Sequence, residues 1–195
     1  MEIPADEDRL IAALKAGDAA AFKELVIQYQ DRVYNTVLGI LKSSEDAEDI
    51  AQEVFIEIYQ HIHQFEQKAK LSTWIYRISL TKAWEFIRYK KRKKRFASLI
   101  SLWNGKEDGM IEAPDFHHPG VVMEEQEHAR ALFRAIAKLP ENQQNAFILH
   151  KLEGLSYAEI GEVLQTSLSS VESLMHRAKM NLRKHLHDYY QQELK

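Results

Sequence analysis

Apolar residues recur at helical spacing along most of this 195-residue chain, and no other feature constrains its fold as strongly. Phe22, Val26 and Tyr29, for example, fall on one face of a helix with 3.6 residues per turn. Glycine and proline, which interrupt helices, number only 7 and 4. No stretch shows the apolar–polar alternation of a half-buried strand. We therefore expect an all-α protein.

Residues typical of helix caps divide this pattern into segments. Asp18 is suited to cap one helix, and Ser43 or Ser44 is suited to cap the next, which has acids in its first turn. The predicted helices cover residues 8–16, 19–41, 44–63, 73–94, 124–139 and 141–152, followed by two more within 154–184.

The helical pattern stops between Phe96 and Gly120. This stretch contains three of the seven glycines and two of the four prolines. Such composition is typical of an interdomain linker, although its first residues, "FASLISLW", are apolar enough to pack against something. We predict two small helical domains, 1–95 and 122–195, joined by a flexible linker over 96–121.

Composition excludes several classes of site. The chain has no cysteine, which excludes disulfides, zinc fingers and thiol catalysis. The acidic start "MEIPADEDRL" is unlike a signal peptide, and no apolar run is long enough to span a bilayer. We expect a cytoplasmic protein with no membrane contact of its own. Neither His61 with His63 nor His117 with His118 has the spacing of metal ligands on one helical face, so no metal or cofactor is expected.

Charge is strongly segregated although the net charge is only −3. Residues 44–60 contain six acids and no lysine or arginine, whereas residues 88–95, "RYKKRKKR", contain seven basic residues. Such separation suggests two different partners. On the acidic helix one stripe holds Asp46, Asp49, Glu53, Glu57 and Gln60.

The acidic stripe has three interpretations. The first is a solvated surface, and the second is a docking site for a basic protein partner. The third is a metal site. A metal site at Asp46 and Asp49 would need a further ligand, and none can be identified.

The next helix interleaves aromatic and basic side chains. Its aromatic residues are Trp74, Tyr76, Trp84 and Tyr89, and its cations include Arg77, Lys82 and Arg88. Unpaired bases stack on aromatic planes while cations neutralise phosphates, so this helix is suited to single-stranded DNA. The alternative is that Trp74, Ile78 and Ile87 belong to the core.

The segment Gly154–Lys184 has the plan of a helix-turn-helix. Ser156 and Glu159 have capping-box spacing, "QTS" breaks the first helix, and Ser167 is suited to cap a longer second one. Its predicted outward face consists of Ser169, Ser170, Glu172, Ser173, His176, Arg177, Lys179, Arg183 and Lys184. These groups can address base edges and phosphates in a major groove. An ordinary helical hairpin with a solvated basic face is the alternative.

Glu172 is unusual on a surface meant for phosphates. It can accept a hydrogen bond from a cytosine amino group. Alternatively, it points away from DNA or pairs with His176 or Arg177 along the helix.

Over nearly its whole length the chain resembles the extracytoplasmic function (ECF), or group IV, sigma factors of bacterial RNA polymerase. "DAEDIAQEVFIEIY" resembles region 2.2, which docks on the polymerase β′ clamp, and "STWIYRISLTKAWEFIR" resembles regions 2.3–2.4, which open and read the −10 element. "LPENQQNAFILHKLEGLSYAEIGEVLQTSLSSVESLMHRAKMNLRK" resembles region 4, which reads the −35 element. The three motifs occur in the family's order.

The resemblance assigns residues to three surfaces. It implies polymerase contacts at Asp46, Asp49, Gln52, Glu53, Phe55 and Glu57. It implies −10 contacts at Phe65, Lys70, Trp74, Arg77, Thr81, Lys82, Trp84 and Arg88, with the loop 65–71 forming a pocket for a flipped-out base. It implies −35 contacts at Ser169, Ser170, Glu172, Ser173, His176, Arg177 and Lys179.

The implied partners are the β′ clamp and β subunits of core polymerase, duplex DNA at −35 and the melted strand at −10. A linker threading through the polymerase and an anti-sigma factor are further family expectations. The chain departs from the family pattern at Thr81, where Asn is common, at Glu85, where Asp is usual, and at Glu172 and Leu174, where basic residues are frequent. No promoter sequence can therefore be carried over from a relative.

The function that the resemblance implies is promoter recognition and strand opening as a dissociable polymerase subunit, with no catalysis of its own. One alternative is a helix-turn-helix regulator that binds duplex DNA without polymerase. A weaker alternative is a helical metal-dependent hydrolase that uses Asp46 and Asp49 with histidines.

Overall fold

A computed structural model describes residues 5–103 and 131–193, and within these ranges every regular element is helical. The helices are α1 Ala5–Lys15, α2 Ala19–Leu41, α3 Ser44–His61, α4 Leu71–Trp103, α5 131–137, α6 Glu141–Lys151, α7 Tyr157–Leu164 and α8 Leu168–Glu193, with a 3₁₀ turn at Ile62–Gln64. The all-α prediction is confirmed.

The predicted caps account for where several helices begin. The Asp18 carboxylate accepts a hydrogen bond of 2.7 Å from the amide of Ala20, and the Ser43 hydroxyl accepts one of 3.3 Å from the amide of Asp46. At α7, Ser156 and Glu159 form the full capping box. Each cap satisfies amide groups that have no partner within their helix.

Helices α1 to α4 form the first unit, in which α2, α3 and α4 pack against one another. Its core consists of fully buried aliphatic residues: Leu25, Val33, Val37, Val54, Ile58, Leu71 and Ile75. Leu25, Val33, Val37, Val54 and Ile58 lie on the inward faces that helical spacing predicts, whereas Leu71 was expected in the loop before α4.

Helices α5 to α8 form the second unit, in which α8 packs on α6 and α7. Its core contains Ile148, Leu149, Ile160, Val171 and Met175. Burial of these side chains holds the short helix α7 in place, because an isolated helix of this length is marginal in water.

The two units pack against each other, α2 on α6 and α4 on α7. Gly39 of α2 permits the first contact, because a Cβ built at this position would lie 3.1 Å from Leu152 Cδ1 and 3.2 Å from Ile148 Cδ1. The Gln144 side chain also donates a hydrogen bond of 3.4 Å to the Gly39 carbonyl. The surface between the units is therefore partly apolar and closely packed.

Several predicted boundaries are wrong. Helix α4 continues to Trp103, so residues 96–103, which we expected to begin the linker, are helical. Helix formers such as Lys, Arg, Ala and Leu carry the helix past the point where the amphipathic pattern is lost. Helix α1 starts at Ala5, α3 ends at His61, and α8 runs on to Glu193.

Other predictions fall partly or wholly on residues that the structure does not describe. The rest of the predicted linker and the first part of the helix predicted over 124–139 lie outside the described residues. The extents of the two domains therefore stay a prediction. Among the described helices, none has an apolar stretch of the length that a bilayer crossing requires.

Candidate nucleic-acid and protein interfaces

Helices α7 and α8 meet at a tight turn. The amide of Thr166 donates a hydrogen bond of 2.9 Å to the Gly161 carbonyl, and a Cβ at Gly161 would lie only 3.0 Å from the Thr166 carbonyl oxygen. Gln165 closes α7 in the left-handed conformation, with φ of 53°. The Ser167 hydroxyl then accepts from the amide of Ser170, as predicted for the cap of α8. This is the turn that a helix-turn-helix requires.

The outward face of α8 is open to solvent. Val171, Met175, Ala178 and Leu182 are buried beneath it. The exposed members of the predicted DNA-reading set are Ser169, Glu172, Ser173, His176, Arg177 and Lys179, and Ser170 is half-buried.

Two polar residues of this face differ in their contacts. Arg177 Nε donates to the Ser173 carbonyl at 3.1 Å, so its guanidinium folds back along α8. Across the described ranges 5–103 and 131–193, Glu172 forms no ion pair, so the alternative of a pair with His176 or Arg177 is not realised. Glu172 presents its carboxylate to solvent on the face that would enter a groove.

Some of the predicted DNA contacts on the aromatic-basic helix α4 are exposed to solvent, and others are partly covered by protein. Thr81 and Arg88 are exposed, whereas Trp74 and Trp84 are half-buried. Phe65, in the loop before α4, is buried, and its ring centroid lies 5.2 Å from that of Trp74. The Phe65–Trp74 contact joins α4 to the loop that was expected to hold a flipped-out base.

Three predicted DNA contacts bind the second unit instead of solvent. Arg77 donates to the carbonyls of Glu162 at 2.5 Å and Val163 at 3.3 Å. The indole of Trp84 donates to Asn145 Oδ1 at 2.8 Å, and Lys70 pairs with Glu159 at 3.2 Å. Sequence periodicity does not predict these contacts, because the partners are 61 to 89 residues apart.

Tyr76 does not form the stacking surface that its position among cations suggested. It is only 2% exposed, and its hydroxyl donates to Glu153 Oε2 at 3.0 Å. Burial raises the pKa of Tyr76 well above 10, and burial also raises the pKa of the Glu153 carboxyl. The sequence indicated no role for Glu153. Glu153 follows the end of α6, and it meets Tyr76 of α4 only when the two units pack together.

The acidic stripe of α3 is partly neutralised by α4. Glu57 pairs with Lys82 at 2.9 Å, and Asp46 pairs with Lys90 at 2.6 Å. The hydrogen bond with Lys82 lowers the pKa of Glu57 and raises that of Lys82. Lys82 was predicted to contact DNA and Glu57 to contact protein, so this ion pair joins the two predicted surfaces.

The other residues expected to contact polymerase, together with Gln60, form a largely exposed polar surface with an apolar border. Asp49, Gln52, Glu53 and Gln60 are exposed, and Phe55 is half-buried against the core. On the same helix, Ile56 and Tyr59 are 56% and 57% exposed. The helical pattern did not single out Ile56 and Tyr59, although large apolar residues outside the inward stripe were the available signal.

A cleft of about 730 Å³ lies between α3 and α4 beside these residues. Its lining combines Ile50 and Phe86 with Glu53, Lys82 and Arg88. The cleft therefore presents both apolar groups and charges of both signs to solvent.

No group of three or more His, Cys, Asp or Glu side chains within the described part of the chain could hold a metal ion. His61 Nδ1 instead lies 3.2 Å from a Glu57 carboxylate oxygen. His117 and His118 lie outside the described residues. The geometry therefore gives no support to the hydrolase alternative.

Two family models match the chain: Sigma-70 region 2 over residues 25–93, and Sigma-70 region 4 over residues 129–182. The chain is 34% identical to the ECF RNA polymerase sigma factor SigW of Bacillus subtilis (strain 168), covering 91% of this chain and 95% of that protein. It is 30% identical to the ECF RNA polymerase sigma-E factor of Escherichia coli (strain K12), covering 87% of this chain and 88% of that protein.

Solved structures share the fold. The structure of CnrH in complex with the cytosolic domain of CnrY has a TM-score of 0.68 at 20% identity, covering 93% of this chain and 97% of that chain. The sigma factor RpoE of Bartonella quintana, in complex with the anti-sigma factor NepR, has a TM-score of 0.66 at 16% identity, covering 85% and 96%.

Proposed function

Because this chain belongs to the ECF family of RNA polymerase sigma factors, we propose that it directs core polymerase to specific promoters and promotes opening of the −10 element. The observation that carries the proposal is the presence, on one chain, of an exposed DNA-reading face on α8 and an exposed acidic surface on α3. A regulator that binds duplex DNA alone would need only the first.

Each surface receives one partner in this proposal. Asp49, Gln52 and Glu53 meet the β′ clamp, where complementary charge orients docking. Thr81 and Arg88, with the half-buried Trp74 and Trp84, hold the melted −10 strand by stacking and phosphate contacts. Lys70, Arg77 and Lys82 add cations to that surface after release from their protein partners.

The outward face of α8 reads the −35 duplex, and the β subunit is the expected neighbour of the second unit. CnrH was solved in complex with the cytosolic domain of CnrY, and RpoE was solved in complex with the anti-sigma factor NepR. An anti-sigma partner for this chain is proposed from family membership. We also propose that it acts in the cytoplasm as a binding subunit that catalyses no reaction.

Reconstitution with core polymerase tests this function. The purified chain is mixed with core enzyme and a library of randomised promoters, and transcripts are sequenced together with the templates that produced them. We expect co-elution with core and enrichment of two promoter elements at a fixed spacing. Core enzyme alone is the control. Enrichment of a duplex element in the absence of core, without any effect on transcription, would favour the regulator instead.

A further inference from the structure

Two carboxylates in the first turn of α1 are hydrogen-bonded to the loop 65–71. We infer that Glu7 and Asp8 are positioning residues for this loop, and that they set the base preference at the −10 position whose base the loop holds. The inference rests on the proposed function and on the base pocket expected in this loop. Neither acid is among the residues expected to touch DNA, so their effect on base preference is exerted through the loop.

Glu7 caps α4 from a different helix. The residue before α4 is Lys70, whose side chain has no acceptor atom, so α4 lacks the Ser, Thr, Asp or Asn that usually satisfies the first amides of a helix. The Glu7 carboxylate instead accepts a hydrogen bond of 2.7 Å from the amide of Leu71. Its negative charge also suits the partial positive charge of a helix N-terminus. Glu7 therefore fixes the point at which the loop ends and α4 begins.

Asp8 is bonded to the middle of the loop. Its carboxylate accepts a hydrogen bond of 2.9 Å from the side-chain amide of Gln67. Gln67 has a φ of 56°, in the left-handed region that residues other than glycine seldom adopt. Such a conformation persists only when surrounding contacts support it, and the hydrogen bond to Asp8 is one such contact.

Helix α1 is itself fixed on the core of the first unit. Ile11 and Leu14 are buried, and α1 packs on α2 and on the 3₁₀ turn at Ile62–Gln64. Glu7 is half-buried close to Tyr29 of α2. Burial, and next the charge of Glu7, raise the pKa of the Tyr29 phenol. The two carboxylates therefore extend to the loop from a helix that is anchored by its apolar face.

The loop is thus held at three points. Phe65 is buried against Trp74, Gln67 is bonded to Asp8, and the amide of Leu71 is bonded to Glu7. A binding site discriminates between ligands only when its groups are held to within about 0.5 Å of the productive geometry. Removing either carboxylate should therefore reduce discrimination between bases more than it reduces overall affinity for the strand.

Holoenzyme reconstituted from core polymerase and each full-length variant tests the inference. Glu7→Ala and Asp8→Ala each remove one acceptor, whereas Glu7→Gln and Asp8→Asn keep an acceptor oxygen. Asp6→Ala, at another exposed acid in the first turn of α1, is the matched control. Each holoenzyme transcribes the library of randomised promoters, and base preference is obtained separately for every position of the −10 and −35 elements.

Glu7→Ala and Asp8→Ala should reduce the preference at one −10 position by about 2- to 30-fold, the range that corresponds to loss of a helix cap. Preference at −35 should not change, and Glu7→Gln, Asp8→Asn and Asp6→Ala should select as wild type does. Unchanged preference at every −10 position in both alanine variants would overturn the inference. So would an equal loss at all −10 and −35 positions, because that result would mean a general loss of folding.

An abasic nucleotide separates base positioning from a purely structural role. On one selected promoter, premelted at −10, the base at the affected position is removed from the non-template strand, and holoenzyme binding is measured. Wild type should lose affinity, whereas Glu7→Ala and Asp8→Ala should lose little, because their loop no longer holds the base in one geometry. An equal loss in wild type and in both variants would contradict the inference.

A double-mutant cycle tests whether Asp8 acts through Gln67. Once Gln67→Ala has removed the donor, Asp8→Ala should cause no further change in base preference, because residues in direct contact are not additive. Fully additive effects of the two substitutions would mean that this hydrogen bond does not position the loop.

Wild type by itself tests the proposed function in the same experiment. If wild-type holoenzyme selects two promoter elements and both alanine variants select identical ones, the positioning role is wrong and the proposed function stands. If wild type does not support promoter-dependent transcription with core, the proposed function is wrong, and the inference that rests on it is wrong as well.

Discussion

At the scale of the residue, Lys42 is an ionisable group whose surroundings oppose its charge. It ends α2 in the left-handed conformation, with φ of 60°, and is only 6% exposed. Burial lowers its pKa from 10.5 to about 8. Below pH 8 the folded protein therefore holds a charged ammonium in a site that favours the neutral amine.

Replacing Lys42 with Met should stabilise the protein at pH 7. The folded pKa lies below the unfolded one, so the penalty is complete below pH 8 and declines as the pH rises from 8 to 10.5. The gain in the free energy of unfolding should be on the order of 3 kcal/mol at pH 7, at about 1.4 kcal/mol per pKa unit.

Urea denaturation at pH 7 and pH 10 measures this difference. Lys42→Arg, which retains the charge at both pH values, is the control and should not gain stability. An equal gain for Lys42→Met at both pH values would mean that packing, rather than charge, is responsible.

Glu172 and Arg177 should affect DNA reading in different ways. Arg177→Ala should weaken binding to most upstream duplexes and reduce the salt dependence, since a cation is lost from the phosphate-facing surface. Glu172→Ala should keep or raise general affinity while relaxing preference at one base pair by about 1–3 kcal/mol, because a carboxylate accepts from cytosine and not from phosphate.

A randomised upstream duplex library, bound by the full-length variants and sequenced, measures both effects. Lys151→Ala, at an exposed position of α6, is a suitable comparison because it removes a charge away from the outward face of α8. If Glu172→Ala selects the same sequences as wild type, Glu172 is a solvent-exposed residue that does not contribute to base recognition.

At the scale of the element, different faces of α3 contact the core of the first unit, helix α4 and solvent. Its inward face, including Val54 and Ile58, is fully buried in the first unit. Asp46 and Glu57 pair with lysines of α4, whereas Asp49 and Glu53 point to solvent. The exposed acids should therefore act in docking, and the paired ones should orient α4 on α3.

Reversing Asp49 and Glu53 to Lys should weaken binding to core polymerase by a few kcal/mol, because like charges would then meet at the docking surface. Folding should change little, since surface substitutions usually shift stability by less than about 0.5 kcal/mol. Affinity for core is measured by titration of labelled protein, with circular dichroism as the folding check.

Two control variants distinguish charge reversal at this surface from other effects of the substitutions. Asp49→Asn with Glu53→Gln removes charge without reversing it and should weaken binding less. Glu141→Lys reverses an exposed acid of the second unit. If the double reversal binds core as tightly as wild type does, α3 is not the docking surface.

At the scale of the whole molecule, the contact between the two units should make them unfold together. Gly39 and the hydrogen bonds of Arg77 and Trp84 connect α2 and α4 to the second unit. In wild type we expect circular dichroism and tryptophan fluorescence to give coincident denaturation curves, as in a two-state transition. In Gly39→Leu the two curves should separate. Separate curves in wild type would show that the contact contributes too little free energy to couple the units.

The all-α class, the caps at Asp18, Ser43 and Ser156, and the outward face of α8 could be predicted from the sequence. Each of these features depends on residues that lie within about one to a few helical turns of each other along the chain. Cap residues and helical periodicity can be recognised over such short sequence separations. The continuation of α4 to Trp103 was missed because helix formers sustain a helix even where amphipathic spacing fails.

The amino-acid sequence by itself determined which segments are helical and which charges lie on α3, α4 and α8. Only the tertiary structure decided that Lys82 faces Glu57, that Tyr76 is buried against Glu153, and that Arg77 binds the end of α7. The physical reason is that these partners come from different helices and meet only when the helices pack. Local propensity does not depend on that packing, whereas burial and ion pairing do.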